Sequence, residues 1–239
     1  MLHPSLHHGK VQEVIPKEIR SQIIRFCQRL DQKGWVANHD GNISARLSGG
    51  HLASTPTARF KGDLSEEDLI EVDDQGKKVA GQGGSFSELA VHLRVMKQRP
   101  DVQAVVHAHP PSATAVGSAH QEMLTWAIPE AVVTLGPGVP VAGLSLPNSD
   151  ALWAEFDPLI PHYNAVLVAG NGVFAWGDSV EQAYLRLELV EHLARVLLAT
   201  LPLGGPKLLS TVEVATLLKK RADAGLSLPP DPARPHWFP

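Results

Sequence analysis

The chain of 239 residues lacks several features that would each direct it to a particular environment. It has one cysteine, Cys27, so no disulfide can form within the chain. Cys27 shares the apolar side of a helical pattern with Ile23 and Phe26, which predicts an inert thiol in the core. No run of 18 apolar residues is present, and the N-terminus lacks the basic and apolar regions of a signal peptide. We therefore expect a cytoplasmic protein without a membrane span.

The chain also lacks a strong excess of either charge. Its 21 Lys and Arg residues against 25 Asp and Glu residues give a net charge of -4. This balance offers no electrostatic basis for binding nucleic acid or an anionic membrane. A composition that is 44% hydrophobic and 19% charged is instead typical of a folded chain with a substantial core.

Predicted helices and strands alternate along most of the chain, which indicates one α/β domain with a central mixed sheet covered by helices. The patterns predict helices at 16–33, 86–99, 111–119, 149–160, 179–200 and 210–223. They predict strands at 43–47, 51–55, 69–72, 102–108, 131–134, 139–142, 165–169 and 173–176. We divide the chain into an N-terminal lead-in at 1–15, a domain at 16–225 and a tail at 226–239. The tail holds five prolines, so we expect it to be irregular, either disordered or docked.

Two histidines at the end of a predicted strand form the first candidate site. His107 and His109 are separated by one residue, and side chains at i and i+2 of a strand leave the same face. Two imidazoles placed in this way can share one divalent metal ion. A strand-end pair that is satisfied by hydrogen bonds would show the same spacing, so the pair alone leaves both interpretations open.

An acidic residue at a predicted helix start adds a further group. Glu88 could serve as a third metal ligand or as an acid/base, or it could simply complement the helix dipole. His92 lies four residues further on the same helix face. It could support the site or pack beside the core.

Several turn-rich segments could hold an anion. Residues 41–44 (Gly-Asn-Ile-Ser) and 55–57 (Thr-Pro-Thr) offer amide and hydroxyl groups, and Ser87 precedes a helix whose free N–H groups attract anions. Lys61 could supply a cation or be a solvated loop lysine. Asn171, which precedes Gly172 at a predicted strand end, belongs to a ligand-holding loop or to an ordinary tight turn.

Taken in this order, these motifs resemble the class II aldolase/adducin family over about residues 15–222. The matching segments are 41–44, 55–57, Ser87-Glu88 with His92, His107-Ala-His109, 129–133 before Gly136, and Asn171-Gly172 before 175–177. The resemblance implies a single-domain three-layer α/β/α sandwich with a central mixed, largely antiparallel sheet. It also implies a homotetramer with sites at subunit interfaces.

The resemblance further implies a metal-dependent site for a small-molecule substrate. His107 and His109 would hold a divalent ion, zinc or another such as manganese, which polarises a carbonyl and stabilises an enediolate. Glu88 would be the acid/base and a further ligand. The residues implied to bind the substrate are Gly41, Asn42, Thr57, Ser87 and Asn171.

Three positions depart from the family pattern. Asn171 stands where the family has its third histidine, and an amide oxygen is a poorer zinc ligand, so we expect at most a weak fourth ligand there. Phe86 replaces a hydroxyl residue of phosphate-binding members, so the substrate's anionic end need not be a phosphate. Ala224 replaces a tyrosine that donates a proton in the aldolase.

We therefore expect an aldolase-like metal-dependent lyase that acts on a small hydroxy-carbonyl or sugar-derived compound. One alternative is a catalytically degenerate member that serves as a binding or scaffold protein. Another is a phosphosugar dehydratase or epimerase on the same scaffold. The tail aromatics Trp237 and Phe238 would be costly if exposed, which also favours an oligomer.

Overall fold

The computed structural model describes residues 15–146 and 148–239. The predicted N-terminal lead-in therefore lies outside the described residues, apart from Ile15. The helices are α1 (Lys17–Gln32), α2 (Leu89–Gln98), α3 (Pro111–Ser118), α4 (Pro129–Leu135), α5 (Asp150–Phe156), α6 (Val180–Thr200) and α7 (Thr211–Asp223). None of the described helices combines the length and the apolar character needed to cross a membrane.

The strands are β1 (Asn42–Arg46), β2 (Leu52–Ser54), β3 (Ile70–Val72), β4 (Lys78–Ala80), β5 (Ala104–Ala108), β6 (Met123–Leu124), β7 (Gly138–Val139), β8 (Val141–Ala142), β9 (Ala165–Val168) and β10 (Val173–Gly177). In the described part of the chain, eight of them form one sheet in the order β4-β3-β2-β1-β5-β10-β9-β8. Its neighbours pair antiparallel except β8 and β9, which are parallel. The expected single α/β domain with a mixed, largely antiparallel sheet is confirmed.

The central strands are buried on both faces, so each strand contributes side chains to two hydrophobic cores. On β5, Val106 belongs to the core that includes helices α1 and α6, whereas Val105 belongs to the core that includes α2 and α5. Successive side chains of a strand point to opposite faces, which explains this division. His107 leaves the same face as Val105 and lies at the end of the strand nearest the following loop.

One predicted strand is wrong. Residues 131–134 lie in helix α4, although Val132 and Val133 are β-branched. Pro129 occupies the first helical position, and Gly136 ends the helix with φ of 93°. Both placements are typical of a helix start and stop. The contacts of Ala131, Val132 and Leu135 with the core then outweigh local strand propensity.

The proline-rich tail is docked rather than disordered. Trp237 is buried, its ring 5.9 Å from that of Tyr163, and it covers the bare backbone of Gly138. The Tyr163 hydroxyl donates a hydrogen bond of 2.9 Å to Asp231. Because its own chain covers Trp237, the tail no longer argues for an oligomer.

Candidate active site

A cavity of about 260 Å³ collects most of the candidate residues at one end of the sheet. Strands β1 and β5 are antiparallel neighbours, and Asn42 lies directly opposite His107. The loop before β1 and the end of β5 therefore meet at the same place. The cavity is lined by His39, Asp40, Gly41, Asn42, Pro56, Thr57, Ala58, Lys61, Phe86, Ser87, Glu88, His107 and His109.

The two histidines of β5 lie side by side, as their spacing predicts. Their Nε2 atoms are 3.0 Å apart. The ring of His107 is buried and stacks on Phe174, with centroids 3.9 Å apart and planes at 11°. Burial, and next the neighbouring His109, hold the pKa of His107 well below its usual value. His107 is therefore neutral near pH 7, which is the form that coordinates metal.

The other ring nitrogens both have oxygen neighbours, and that of His107 identifies the atom that carries its proton. Nδ1 of His107 donates a hydrogen bond of 2.9 Å to the carbonyl oxygen of Val173. Nδ1 of His109 lies 3.5 Å from a carboxylate oxygen of Asp40. The Nε2 lone pair of His107 accepts a hydrogen bond if the proton of His109 is on Nε2. If that proton is on Nδ1, toward Asp40, both Nε2 lone pairs are free for a cation. This donor set fits a divalent metal ion between the rings, with the carbonyl and the carboxylate orienting its ligands.

Glu88 faces the same cavity from the N-cap position of α2. The helix begins at Leu89, three residues later than predicted, and one Glu88 carboxylate oxygen accepts a hydrogen bond of 2.7 Å from the Ser87 hydroxyl. Across residues 15–146 and 148–239, no three His, Cys, Asp or Glu side chains are grouped closely enough to hold a metal. Glu88 therefore shares the cavity with the histidines without completing a three-ligand group.

The wall of the cavity beside Glu88 carries polar groups, one of which lacks a hydrogen-bond partner among the described residues. Oδ1 of Asn42 is buried without a hydrogen bond among the described residues. Gly41 adopts φ of 73°, and a Cβ there would lie 2.5 Å from Val36, so only glycine fits. Thr57 and Ser87 complete this wall. Amide, hydroxyl and exposed backbone groups of this kind can hold the polar end of a ligand.

Lys61 is buried, so the interpretation as a solvated loop lysine is wrong. Its Nζ donates to the carbonyl oxygens of His39 at 2.9 Å and Arg59 at 2.7 Å. No carboxylate pairs with it in the part of the chain that the structure describes. Desolvation lowers the pKa of Lys61 from its usual value, opposed by Cys27 first and then by Asp40. Lys61 therefore lies near the cavity carboxylates Asp40 and Glu88, and among the described residues it forms no direct ion pair with either.

Two other candidate residues lie outside this wall. Asn171 sits in the turn between β9 and β10 and does not line the cavity, but the adjoining Gly172 packs on His109. His92 is fully buried, with Nδ1 3.0 Å from the Ser44 hydroxyl, and burial lowers its pKa to about 3. His92 packs edge-on against Phe86, a cavity residue, so it supports the wall from behind.

Sequence reasoning did not single out Asp40. It precedes Gly41 in a turn-rich segment, where aspartate is common for purely local reasons. Only the pairing of β1 with β5 brings its carboxylate to His109. No local pattern in the sequence signals this contact.

Comparison with known proteins identifies the family to which this chain belongs. A sequence profile described as "Class II Aldolase and Adducin N-terminal domain" matches residues 21–198, most of the chain. The chain belongs to the class II aldolase/adducin family.

Relatives of known name differ in the reaction they catalyse. A methylthioribulose-1-phosphate dehydratase of Methylococcus capsulatus is 30% identical over 72% of this chain and 89% of its own length. A 5-deoxy-D-ribulose 1-phosphate aldolase of Bacillus thuringiensis is 29% identical over 84% of this chain and 94% of its own length. A 3-oxo-tetronate 4-phosphate decarboxylase of Pectobacterium atrosepticum is 28% identical over 81% of this chain and 90% of its own length. Family membership alone therefore leaves the reaction open.

A solved structure of an L-fuculose 1-phosphate aldolase shares the fold. It superposes with a TM-score of 0.79 at 23% identity, covering 86% of this chain and 97% of its own. At this identity the likeness supports the architecture and not the substrate.

Proposed function

We propose that this chain is a metal-dependent carbon–carbon lyase that acts on a small hydroxy-carbonyl or sugar-derived compound. The observation that carries the proposal is the pair of Nε2 atoms 3.0 Å apart, with both Nδ1 atoms facing oxygen. Two Nε2 atoms at this separation can bind one divalent ion when the protons of both rings are on Nδ1.

His107, His109 and Glu88 hold the metal in this proposal, and Asn171, which lies outside the cavity lining, is at most a weak fourth ligand. Zinc suits a site of imidazole ligands, and manganese is the next candidate. A bound divalent ion would supply a Lewis acid that polarises the substrate carbonyl. Val173, through its carbonyl oxygen, and Asp40 fix the two ring orientations.

Glu88 is the acid/base that moves the proton on the carbon beside the carbonyl. It lines the same cavity as the histidines, and its hydrogen bond with Ser87 fixes the orientation of one carboxylate oxygen. The second carboxylate oxygen remains for the substrate. A positioned carboxylate of this kind contributes about 10²–10⁴ in rate.

The substrate carries an anionic end in this proposal, because Lys61 is a buried cation without a carboxylate partner among the described residues. The groups that hold this end with Lys61 are Gly41, Asn42, Thr57 and Ser87. The ring of Phe86 narrows the cavity beside them, which favours a carboxylate or another small anion over a phosphate.

Dehydration, aldol cleavage and decarboxylation, the reactions named for the relatives, all pass electrons from a bond near a carbonyl into that carbonyl. A site that stabilises the resulting negative charge supports any of them. We place this chain with the carbon–carbon lyases and propose that it works as a cytoplasmic homotetramer. Light scattering should then report about four times the chain mass of 25.7 kDa.

Two further functions have support of their own. Asn171 in place of a histidine, and the missing third close ligand in the described residues, favour a member that binds ligands without turnover. A phosphosugar dehydratase or epimerase would use the same wall and Lys61 to hold a phosphate group. Competition by inorganic phosphate would distinguish this second function from a carboxylate substrate.

Proton exchange at carbon provides the test. The zinc- or manganese-loaded protein is incubated in D₂O with hydroxyacetone, dihydroxyacetone phosphate and hydroxypyruvate, and deuterium uptake is followed by NMR. We expect uptake into at least one compound, and a loss of about 100-fold or more in Glu88→Gln. His192→Gln, which changes an exposed histidine, is the matched control. Bound metal without exchange in any compound would support the binding protein instead.

A further inference from the structure

A second cavity, of about 220 Å³, lies at the opposite end of β5 from the histidine pair. Its wall includes Gly177, which pairs with Ala104 at the first residue of β5, whereas His107 lies near the last. The beginning of α6 and residues 225–228 close the cavity from two other sides. It is therefore a separate site from the one described above.

Arg186 of α6 is the unusual group in this cavity. The residue is 6% exposed, and one of its N–H groups donates a hydrogen bond of 2.6 Å to the carbonyl oxygen of Trp176. Its Nε is buried without a partner, and no carboxylate pairs with the guanidinium within the described residues. A guanidinium has five N–H donors, so most of its hydrogen-bonding capacity remains unused.

The two neighbouring arginines are satisfied and add to the positive charge. Arg99 donates hydrogen bonds from Nε and Nη2 to the two carboxylate oxygens of Asp101. Its other N–H groups donate to the carbonyl oxygens of Ile160 and Tyr163 and to the side-chain oxygen of Asn164. Arg221 donates to the carbonyl oxygens of Val133 and Thr134. The Asp101 carboxylate is thus already hydrogen-bonded to Arg99, and it acts on Arg186 only through space, without an ion pair.

Asp178 is the other acidic residue of the cavity wall, and it is exposed, with its carboxylate accepting a hydrogen bond from the Ser179 hydroxyl. Burial lowers the pKa of Arg186 to about 10, helped by Arg221 and opposed by Asp178. Arg186 therefore keeps its charge at neutral pH. A buried charge without a partner is strongly unfavourable, so an anion that fits the cavity should bind there.

We propose that this cavity binds a small oxyanion, of the phosphate or carboxylate class, on the guanidinium of Arg186. The planar fork of arginine matches the paired oxygens of either group. Ser227 and Asn164 line the same cavity and can add hydrogen bonds. The volume suits a free ion or the anionic group of a small metabolite.

Thermal unfolding tests this site in the whole protein. Phosphate, sulfate and citrate are each added to wild type, to Arg186→Gln and to Lys61→Gln, with chloride at matched ionic strength as the reference. Lys61→Gln weakens anion binding at the other cavity. We expect a rise in Tm of at least about 2 °C in wild type and in Lys61→Gln, but none in Arg186→Gln. A larger rise with citrate than with phosphate would indicate a carboxylate metabolite, and the reverse order a phosphate.

The variant also tests the charge argument without ligand. In anion-poor buffer Arg186→Gln should unfold at the same temperature as wild type or higher, because an unpaired buried charge is removed. Equal anion-induced shifts in Arg186→Gln and wild type, or no shift in either, would overturn the proposal. If Arg186→Gln fails to fold, a selenate-soaked crystal of wild type decides. An anomalous selenium peak beside Arg186 supports the site, and its absence refutes it.

Discussion

Gly172 packs so closely on the end of β5 that a Cβ atom on the glycine would lie 2.4 Å from the carbonyl oxygen of Ala108, 2.7 Å from Cδ2 of His109 and 3.0 Å from Cα of His109. Gly172 also adopts φ of 74°, a backbone conformation that residues other than glycine rarely adopt. The turn after β9 therefore sets the position of one of the two proposed metal ligands. Any side chain at this position should move His109.

Gly172→Ala should accordingly lower both stability and metal affinity. We expect a loss of about 2–4 kcal/mol in the free energy of unfolding, from backbone strain and the clash together. Gly204→Ala is the matched control, because Gly204 has φ of 97° but open space around it. Urea unfolding and zinc titration of both variants provide the measurement. Equal costs and unchanged zinc affinity in the two variants would show that the contact with His109 does not matter.

Asn171→His should strengthen metal binding. The substitution places an imidazole directly before Gly172, and imidazole is a better zinc ligand than an amide oxygen. We expect zinc affinity to rise about tenfold or more, measured by competition with a chromophoric chelator. Asn171→Ala should weaken affinity only slightly, in keeping with a weak fourth ligand. A tenfold loss in Asn171→Ala would instead identify the asparagine as a principal ligand.

Lys61→Met should separate charged from neutral substrates. Methionine approximates the length of the lysine side chain but removes the buried cation, so anionic compounds lose their partner. In the proton-exchange assay we expect KM for hydroxypyruvate or dihydroxyacetone phosphate to rise at least about tenfold, the scale of one charge-assisted hydrogen bond. KM for hydroxyacetone, which is neutral, should stay the same. A parallel rise for all three compounds would point to a structural role of Lys61.

Stability should fall as the solution is acidified, in part because of His92. Burial lowers the pKa of His92 to about 3, whereas the unfolded chain has the ordinary value of 6.5. Between these values the unfolded state binds a proton that the folded state does not. The contribution of His92 to the free energy of unfolding is therefore complete above pH 6.5. It declines from there toward pH 3, by up to about 1.4 kcal/mol per pH unit.

Urea unfolding of wild type and His92→Gln between pH 7.5 and 5 measures this contribution. On unfolding, the variant should take up about one proton fewer than wild type, so its free energy of unfolding should depend less steeply on pH. This holds whatever the stability of the variant at pH 7.5. His192→Gln, at an exposed position, should keep the wild-type slope. The same slope in wild type and His92→Gln would contradict the assignment.

Much of the fold follows from local patterns in the sequence. The long amphipathic helices and the buried strands β5, β9 and β10 show their periods directly in the sequence. Ser179 caps the start of α6, and its hydroxyl oxygen accepts a hydrogen bond from the backbone N–H of Gln182. Helix α4 was missed because two adjacent valines favour a strand locally. Packing against the core and a proline at the first turn decided otherwise.

The site was less accessible from sequence than the fold. His107 and His109 could be paired from their spacing, because a strand's period of two is a local property. The contact of Asp40 with His109 and the burial of Lys61 depend on which strands are neighbours and how loops close over them. Such long-range contacts have no local signal. The position of Asn171 outside the cavity lining depends likewise on the turn between β9 and β10.

Elemental analysis of the dialysed protein tests the central claim most directly. Wild type and His107→Ala are loaded with zinc, or in parallel with manganese, dialysed at pH 7.5, and analysed for bound metal per chain. We expect about one ion per chain in wild type and less than about a tenth of that in His107→Ala, since the remaining ligands are too few to retain it. Wild type without bound ion, or equal metal content in the two proteins, would contradict the account.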